Sequence, residues 1–388
     1  MTVRAVYVSH NGIRTALVRS QVLPYLDGLH RQGIAFDLVT FEDDRLPTVA
    51  DGFRWWPVTR HRGSGLIAKA LDILQGVVVV ARLSRGATLL HARSYVPAVI
   101  AAVAGGLTRR PYIFDMRGFL PDEYVDAGYW RSTELRYRLL RLAERSLLRR
   151  AAHIVVLTEA AARRLRAEPR YARFVGDTPI TAIPCAVDLE RFRPLAERGA
   201  APTLVYTGSL GSFYELDPML AVYRAARALV PRLRFLIVNR GEQELVRASI
   251  ARAGLDGADV ELRSADFAEM PGLVGAAHVG IALIRQSPSK VGSSAVKIAE
   301  YLACGLPIVV NAGLGDIDVQ VREHDAGHVM AAYGPDDIAG AGRAVAALLT
   351  DEGARSRARG LAETAYDVRA ATARYAEVYS AVAGASTT

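Results

Sequence analysis

Lysine, cysteine and long apolar segments are all scarce in this chain of 388 residues. Three lysines stand against 45 arginines, so guanidinium groups carry almost all of the positive charge. The two cysteines, Cys185 and Cys304, form no CxxC motif, which argues against a disulfide framework and a cysteine-rich zinc site. We expect both thiols to be small buried side chains.

Several sequence signals of other protein classes are also missing. The run GVVVVA at residues 76–81 falls far short of the ~20 apolar residues that a spanning helix needs. The start, MTVRAVYVSHNG, resembles a first strand more than a signal peptide, so we expect a cytoplasmic protein. Neither GxGxxG nor GxxxxGK[ST] occurs, so dinucleotide-binding and P-loop interpretations lack their fingerprints.

The net charge of +8 is unevenly distributed along the chain. Residues 1–190 hold 27 basic and 18 acidic side chains, whereas the remainder holds 21 and 22. If the positive charge serves to bind an anionic partner, we expect that partner to contact the first half of the chain. Nucleic acid, an anionic membrane surface and a phosphorylated substrate are the three candidates.

Short apolar runs alternate with segments of helical spacing, which is typical of βαβ units. Twelve runs are predicted to be strands: VRAVYVS, AFDLVTF, TLLHARS, PYIFDMRG, HIVVLT, TAIPCAV, TLVYTGS, RFLIVNRG, DVELRS, HVGIALI, PIVVNAG and HVMAAY. Most are apolar on both alternations, as parallel strands covered on both faces are. We predict an α/β chain of two doubly wound, Rossmann-like domains facing a central cleft, with ligands at the carboxyl ends of the strands.

The polar segment DLERFRPLAERGAAP at residues 188–202 shows no strand pattern and is the expected junction of the domains. We assign residues 1–190 to an N-terminal acceptor-binding domain, 191–202 to a linker and 203–365 to a C-terminal nucleotide-sugar-binding domain. Residues 366–388 are predicted to be a helix that could cross back to the first domain.

Two of the three lysines, Lys290 and Lys297, fall in one stretch, SPSKVGSSAVKIAEYLACGLPIVVNAG at residues 287–313. The pattern predicts a strand, a loop and then a helix with Ser293 or Ser294 as N-cap. The free amides and positive dipole end of such a helix favour an anion, and a diphosphate matches two adjacent ammonium groups. Lys297 opposes the helix dipole. Glu300 either pairs with Lys297 at i,i+3 or accepts hydrogen bonds from sugar hydroxyls.

This segment resembles the sugar-nucleotide-binding block of GT-B retaining glycosyltransferases of family four, in which a glutamate opens an "EALACGxPVV" motif. TLVYTGSL, IPCAVDLERFRP and AAHIVVLTEAAARRL resemble further pieces of that family, and together they cover nearly the whole chain. The resemblance implies a nucleoside diphosphate sugar as donor substrate and no further cofactor. It also implies no metal, although Asp316 and Asp318 form a DxD pair.

The resemblance further implies roles for particular residues. Glu300 would bind the ribose, and Phe267 lies in the loop that would carry the base. The other donor-binding residues implied are Gly12, Gly208, Ser209, Arg240, Ser293, Ser294 and Lys297. Lys290, Arg117 and Asp115 are the candidates for the chemistry, of which Lys290 would stabilise the departing diphosphate.

The chain departs from the family pattern at three points. Gly292 stands where the family usually has a glutamate, eight residues before the ribose-binding one. Ser209 and Tyr214 stand near the places of a frequent arginine and lysine, so Lys290 and Lys297 are expected to supply the missing charge. Arg117 stands near the place of a histidine and is a poor general base, but it could stabilise a phosphate or bind an anionic acceptor. The alternative is a surface loop held by an Asp115–Arg117 pair.

Residues 131–150, RSTELRYRLLRLAERSLLRR, carry seven arginines and a leucine stripe, Leu135, Leu139, Leu142 and Leu147. Such a helix could contact an anionic membrane, but the expectation is that the stripe packs on the domain core.

The sequence thus predicts a retaining, metal-independent hexosyltransferase. Its acceptor would be a sugar, a glycan, or a lipid-linked or polysaccharide precursor, and it could lie peripherally on the inner face of the membrane. The alternatives are a sugar-nucleotide 2-epimerase of the same fold and a basic nucleic-acid-binding protein. The latter is disfavoured by the lack of aromatic platforms or a recognisable module, so no nucleic acid is expected.

Overall fold

The computed structural model describes residues 3–44, 53–61, 63, 65–211 and 213–385. The chain divides into two compact units, Met1–Pro184 with Val368–Thr388, and Cys185–Asp367. Within the described residues, no helix combines the length and hydrophobicity needed to cross a membrane.

The first unit is built on a seven-stranded parallel sheet in the order β3-β2-β1-β4-β5-β6-β7. Its strands are β1 Arg4–Ser9, β2 Ala35–Glu42, β3 Arg54–Thr59, β4 Leu89–Arg93, β5 Tyr112–Asp115, β6 His153–Val156 and β7 Ile180–Ala182. Its helices are α1 Ala16–Gln21, α2 Leu23–Arg31, α3 Leu66–Ser84, α4 Tyr95–Thr108, α5 Leu120–Asp126, α6 Leu135–Arg150, α7 Glu159–Ala167, α8 Pro169–Val175 and α16 Val368–Ala385. Every residue of β4, β5 and β6 is buried, since helices cover both faces of the sheet.

The second unit repeats the plan with six parallel strands in the order β10-β9-β8-β11-β12-β13. The strands are β8 Thr203–Thr207, β9 Arg234–Val238, β10 Val260–Arg263, β11 Val279–Ala282, β12 Ile308–Asn311 and β13 Gly327–Met330. The helices are α9 Leu216–Leu229, α10 Gln243–Arg252, α11 Met270–Gly275, α12 Val296–Ala303, α13 Ile317–Glu323, α14 Pro335–Thr350 and α15 Ala354–Ala365, and Pro288–Gly292 forms a 3₁₀ turn.

The twelve predicted apolar runs all fall on or overlap strands, and the predicted doubly wound α/β class is confirmed. Strand order reverses at β1/β4 in the first sheet and at β8/β11 in the second. In sheets of this kind the reversal opens a crevice at the carboxyl ends of the two strands, where ligands bind. Functional residues are therefore expected at these two edges.

The chain is grouped somewhat differently from the expected domains. Residues 191–202, the expected linker, belong to the second unit. The helix expected at residues 366–388 is α16, which begins at Val368. Tyr366 and Asp367 separate it from α15, and Val187 donates its amide to the Tyr366 carbonyl there. Helix α16 is part of the first unit and packs on α2.

Candidate functional site

Two loops of the second unit bring together several of the residues expected to bind a donor. β8 and β11 are hydrogen-bonded neighbours, and their carboxyl ends lie at the point of strand-order reversal. Gly208 and Ser209 follow β8, while Lys290, Ser293 and Ser294 follow β11. The sheet topology therefore places both segments at the same edge.

Lys297 is a nearly buried lysine in the first turn of α12, with 7% of its surface exposed. Its ammonium donates a hydrogen bond of 2.9 Å to the Tyr206 hydroxyl and lies 3.4 Å from the centre of the Tyr214 ring. Burial lowers the pKa of this ammonium well below its ordinary value, although the carboxylates of Glu300 and Glu242 act in the opposite direction. An anion placed beside it would favour its charged form.

Lys290 lies on the 3₁₀ turn that precedes α12 and is also nearly buried, at 6% exposure. Its ammonium sits 3.4 Å from the centre of the Phe213 ring, an arrangement that stabilises a cation through the ring quadrupole. Its carbonyl accepts hydrogen bonds from the amides of Ser293 and Gly315, which fix the turn. Both lysines are therefore held by aromatic rings in positions with little water.

The predicted N-cap of the following helix is wrong. Helix α12 begins at Val296 with Ala295 as its N-cap residue, and no side chain caps it. The Ser294 hydroxyl instead accepts the Cys185 amide at 3.1 Å. As a result the amides of Ser294, Ala295 and Val296 have no hydrogen-bond partner among the residues described. Free amides at a helix start are donors suited to an anion.

The turn after β8 approaches the buried ammonium of Lys297 closely. Gly208 has φ +99°, and a Cβ there would lie 3.3 Å from the Lys297 Nζ, so both conformation and space favour glycine. Ser209 is exposed and its carbonyl accepts the Tyr206 hydroxyl at 2.7 Å. The resemblance implied that Gly208 and Ser209 bind the donor, and the turn they form lies beside the buried ammonium of Lys297.

Glu242, which the sequence did not single out, occupies part of the same turn. Its carboxylate accepts the amides of Leu210 and Gly211 at 2.7 and 2.9 Å. Burial acts to raise the pKa of the Glu242 carboxyl, but hydrogen bonds from Asn239 and these amides outweigh it and lower the pKa. The Ser209 amide is left without a partner within the described part of the chain, so it is the donor that this turn still offers.

Glu300 lies on the second turn of α12 and is 7% exposed. Burial raises the pKa of its carboxyl to about 7, while Lys297 and Arg191 act to lower it. Of the two alternatives for Glu300, the ion pair with Lys297 does not form, and the ammonium is hydrogen-bonded to Tyr206. No donor among the described residues reaches the Glu300 carboxyl. A buried carboxyl with free acceptor capacity suits a hydroxyl-bearing ligand.

The loop after β10 carries the residues expected near a base. Arg191 donates to the Phe267 carbonyl at 2.6 Å, and its guanidinium lies 3.8 Å from the centre of the Phe267 ring. Arg191 thus connects this loop electrostatically with Glu300. Arg240 is mostly exposed and pairs with Asp266 at 3.2 Å, so it lies beside this loop rather than against the buried lysines.

In the first unit, Asp115 ends β5 and is fully buried, unlike the side chains of a surface loop. It lies 3.4 Å from both Arg117 Nη1 and His91 Nε2, so the expected Asp115–Arg117 pair is present. Burial acts to raise the pKa of Asp115, but Arg117, His91 and Arg93 outweigh it and hold this pKa well below its ordinary value. Burial also lowers the pKa of His91, whose Nδ1 is 2.6 Å from the Tyr379 hydroxyl.

Gly12 is buried in the loop after β1 and packs against Glu42. A Cβ at this position would lie 2.6 Å from the Glu42 carboxylate, which also accepts the Ile13 amide at 2.8 Å. The loop is therefore fixed by an internal carboxylate, and the residue must be glycine for steric reasons.

Three further expectations have outcomes in the structure. Both cysteines are buried, and burial raises the pKa of Cys304 to about 12. The Asp318 carboxylate accepts the amides of Gly313 and Val319 and so stabilises a turn. The expected core packing of the stripe on α6 is wrong for Leu135, Leu139 and Leu142, which are 70%, 54% and 56% exposed, whereas Leu147 is buried.

Sequence-family models match both units. The model described as glycosyl transferase 4-like domain matches residues 18–186, and that described as glycosyl transferases group 1 matches residues 201–351. The chain belongs to the group 1 glycosyltransferases of the GT-B fold. Members of this family use nucleotide-sugar donors. No curated protein matches this glycosyltransferase in sequence.

Solved structures share the fold of this glycosyltransferase at low sequence identity. Sucrose-phosphate synthase from Thermosynechococcus elongatus has a TM-score of 0.75 at 16% identity, with 99% of this chain and 100% of that chain covered. Anabaena Alr3699/HepE in complex with UDP and glucose has a TM-score of 0.71 at 17% identity, covering 97% and 99%. WaaG, a glycosyltransferase of lipopolysaccharide biosynthesis, has a TM-score of 0.65 at 12% identity, covering 97% and 99%.

Proposed function

We propose that this glycosyltransferase is a retaining hexosyltransferase whose second unit binds a nucleoside diphosphate sugar. The observation that carries the proposal is the pair of buried ammonium groups, Lys290 and Lys297, beside a helix start with unpartnered amides. Burying the positive charge of Lys297 is costly unless an anion compensates it, and a diphosphate would supply that negative charge. In the free protein, the rings of Phe213 and Tyr214 provide part of the stabilisation of these charges.

The remaining donor contacts follow from the neighbouring side chains. We assign the ribose hydroxyls to Glu300, whose carboxyl has no donor in the described residues. The base is assigned to the loop that contains Phe267, with Arg191 beside it and Arg240 at its rim. The amides of Ser209 and Ser294 are assigned to the phosphates as backbone donors. Gly208 and Ser293 lie beside them in the same loops, but their amides donate to the carbonyls of Val238 and Lys290. Gly12 belongs to the acceptor-binding unit.

The chemistry assigned to these residues is stabilisation of the leaving group. The bond between the anomeric carbon and the diphosphate oxygen breaks, and the acceptor oxygen bonds to the same face of that carbon. The acceptor proton passes to the departing phosphate, so no protein base is required. Lys290 and Lys297 supply the positive charge that a divalent ion provides in metal-dependent transferases, and the resemblance is the basis for proposing metal independence.

A donor panel tests this function. The enzyme is incubated with UDP-, GDP- and ADP-linked hexoses, and released nucleoside diphosphate is measured, with slow hydrolysis serving as the readout until an acceptor is found. We expect release with one base only, and NMR of the first-formed product is expected to show the donor's anomeric configuration. Inversion would contradict the retaining mechanism. Interconversion of the donor sugar without release would indicate the 2-epimerase alternative.

We further propose that one face of the first unit contacts an anionic membrane. Nine of the fifteen large apolar side chains that are exposed in the described residues lie on α3, α4 and α6. They are Ile67, Leu71, Leu74, Val78, Val103, Leu107, Leu135, Leu139 and Leu142. The three helices are neighbours, since α4 packs against both α3 and α6. Below, these nine residues are called the apolar face.

The exposed charged side chains on the helices of the apolar face have one sign. The exposed charged residues of α3 and α6 are Lys69, Arg82, Arg136, Arg138, Arg149 and Arg150, whereas Asp72 and Glu144 are buried. Helix α4 has no charged residue and is followed by Arg109 and Arg110. Apolar side chains surrounded by arginines match the interior and headgroups of an anionic bilayer. This supports a lipid-linked acceptor and a peripheral location.

A further inference from the structure

Arg93 is a nearly buried arginine whose charge nothing in the described part of the chain balances directly. It ends β4 and is 7% exposed. Its Nε is buried without a hydrogen-bond partner, and no ion pair or hydrogen bond joins its guanidinium to any described residue. Buried arginines ordinarily have both, because the desolvation of a cation is expensive.

Strand register shows what lies beside Arg93. It is paired with Ser9 of β1 on one side and with Asp115 of β5 on the other, so these three side chains share one face of the sheet. This is the carboxyl edge at the β1/β4 reversal, the position at which this class of sheet binds ligands.

Asp115 acts on Arg93 only at longer range, because its carboxylate is in contact with other side chains. Its carboxylate lies 3.4 Å from Arg117 and 3.4 Å from His91. Burial lowers the pKa of His91 and so favours its neutral form. Asp115 therefore makes no direct ion pair with Arg93, and the buried charge of this guanidinium favours an anion beside it.

A helix start lies next to the same arginine. Helix α4 has 14 residues and begins at Tyr95, immediately after Arg93 and Ser94. The amides of Tyr95 and Val96 have no hydrogen-bond partner among the described residues. Ser94 has φ +74°, a backbone conformation that is costly for any residue other than glycine. Such strained residues tend to occur at functional sites.

We propose that Arg93, together with Arg117 and the amino end of α4, binds a phosphate group carried by the acceptor. This rests on the proposed transferase function, in which the first unit binds the acceptor. A guanidinium binds two phosphate oxygens at once, and the helix amides bind a third. The acceptor is accordingly a phosphorylated sugar or lipid-linked phosphate, and an uncharged glycan would leave Arg93 unsatisfied.

The test uses inorganic phosphate as the probe and thermal unfolding of the full chain as the readout. Phosphate is expected to raise the melting temperature of the unaltered protein in a saturable way. In Arg93→Met the apparent dissociation constant is expected to rise ~10-fold or more, and Arg93→Lys is expected to restore part of the binding. Arg138→Met, which removes an exposed arginine of α6, is the matched control and is expected to change nothing.

A second comparison separates this site from the donor site. Lys290→Ala is expected to keep the phosphate response that Arg93→Met loses, while Arg93→Met keeps its affinity for UDP, GDP or ADP. The proposal is overturned if phosphate has no effect, if Arg93→Met and Arg93→Lys respond like the unaltered chain, or if Arg93→Met loses nucleotide binding instead. Should no nucleotide bind any variant, the transferase function fails while phosphate binding at Arg93 is still measured.

Discussion

Lys297→Met is expected to make the free protein more stable and nearly unable to bind a nucleoside diphosphate. Burial lowers the pKa of Lys297, so the folded state resists its charge. Methionine fills similar space without that cost, and Tyr206 keeps its hydrogen bond to the Ser209 carbonyl. Loss of a charged hydrogen bond to phosphate is expected to weaken binding ~100-fold. Thermal unfolding and calorimetric titration measure the two effects.

The pH dependence of the stabilisation gives a further check on its cause. Between the lowered pKa of the folded state and the ordinary value of 10.5, the unfolded chain binds more protons than the folded one. Stability of the unaltered protein therefore rises with pH in that interval, and the advantage of Lys297→Met shrinks. Lys69→Met, at the exposed third lysine, is the control expected to leave stability and binding unchanged. If Lys297→Met is less stable than the unaltered protein and binds nucleotide normally, the role of Lys297 is purely structural.

Replacing Leu135, Leu139 and Leu142 together by glutamine is expected to abolish most binding to anionic vesicles. Each leucine is more than half exposed, so the substitutions should leave the fold intact. Insertion of each into the acyl boundary is worth about 1 kcal/mol, and the three together therefore change vesicle affinity ~100-fold. Sedimentation with phosphatidylglycerol-rich vesicles measures the loss.

Two controls define the cause of vesicle binding. Leu229→Gln with Leu245→Gln removes two exposed leucines of the second unit and is expected to bind vesicles normally. Pure phosphatidylcholine vesicles, or a rise in salt, are expected to weaken binding of the unaltered protein because arginines supply part of the attraction. Equal binding by the triple variant and the unaltered chain would show that the apolar face has another role.

The fold was predictable from sequence because buried parallel strands are apolar on both faces. The strand that escaped prediction, β3, has the sequence RWWPVT and lies at the sheet edge. Its proline is tolerated there because an edge strand has a free side. Trp55 and Trp56 attach it by donating to Thr40 and Asp37 of β2, contacts that the composition of the segment does not reveal.

The proposed donor site could be inferred only in part from the sequence. Lys290, Lys297 and Glu300 stood out because lysine is rare and because of the resembling motif. Arg191 and Glu242 gave no such signal, since each acts through a contact made by the folded chain, one with Phe267 and the other with the amides after β8.

Two predictions from local sequence patterns are wrong because tertiary contacts determine the structure at those positions. Ser294 has the right chemistry for an N-cap, yet its hydroxyl is used by the Cys185 amide, 109 positions away. The leucine stripe of α6 has the spacing of a core-facing helix, but Arg141 and Glu144 take the buried side by pairing with each other.

The central claim is that the buried ammonium groups hold the diphosphate and the buried carboxyl holds the ribose. Calorimetric titration of the Lys290→Ala and Glu300→Gln variants tests this most directly. Each variant is titrated with UDP, GDP and ADP and, in parallel, with the corresponding nucleosides. The account predicts that Lys290→Ala weakens the diphosphate by ~10-fold or more and leaves the nucleoside nearly unchanged. It predicts that Glu300→Gln weakens both. Unchanged diphosphate affinity in both variants would contradict it.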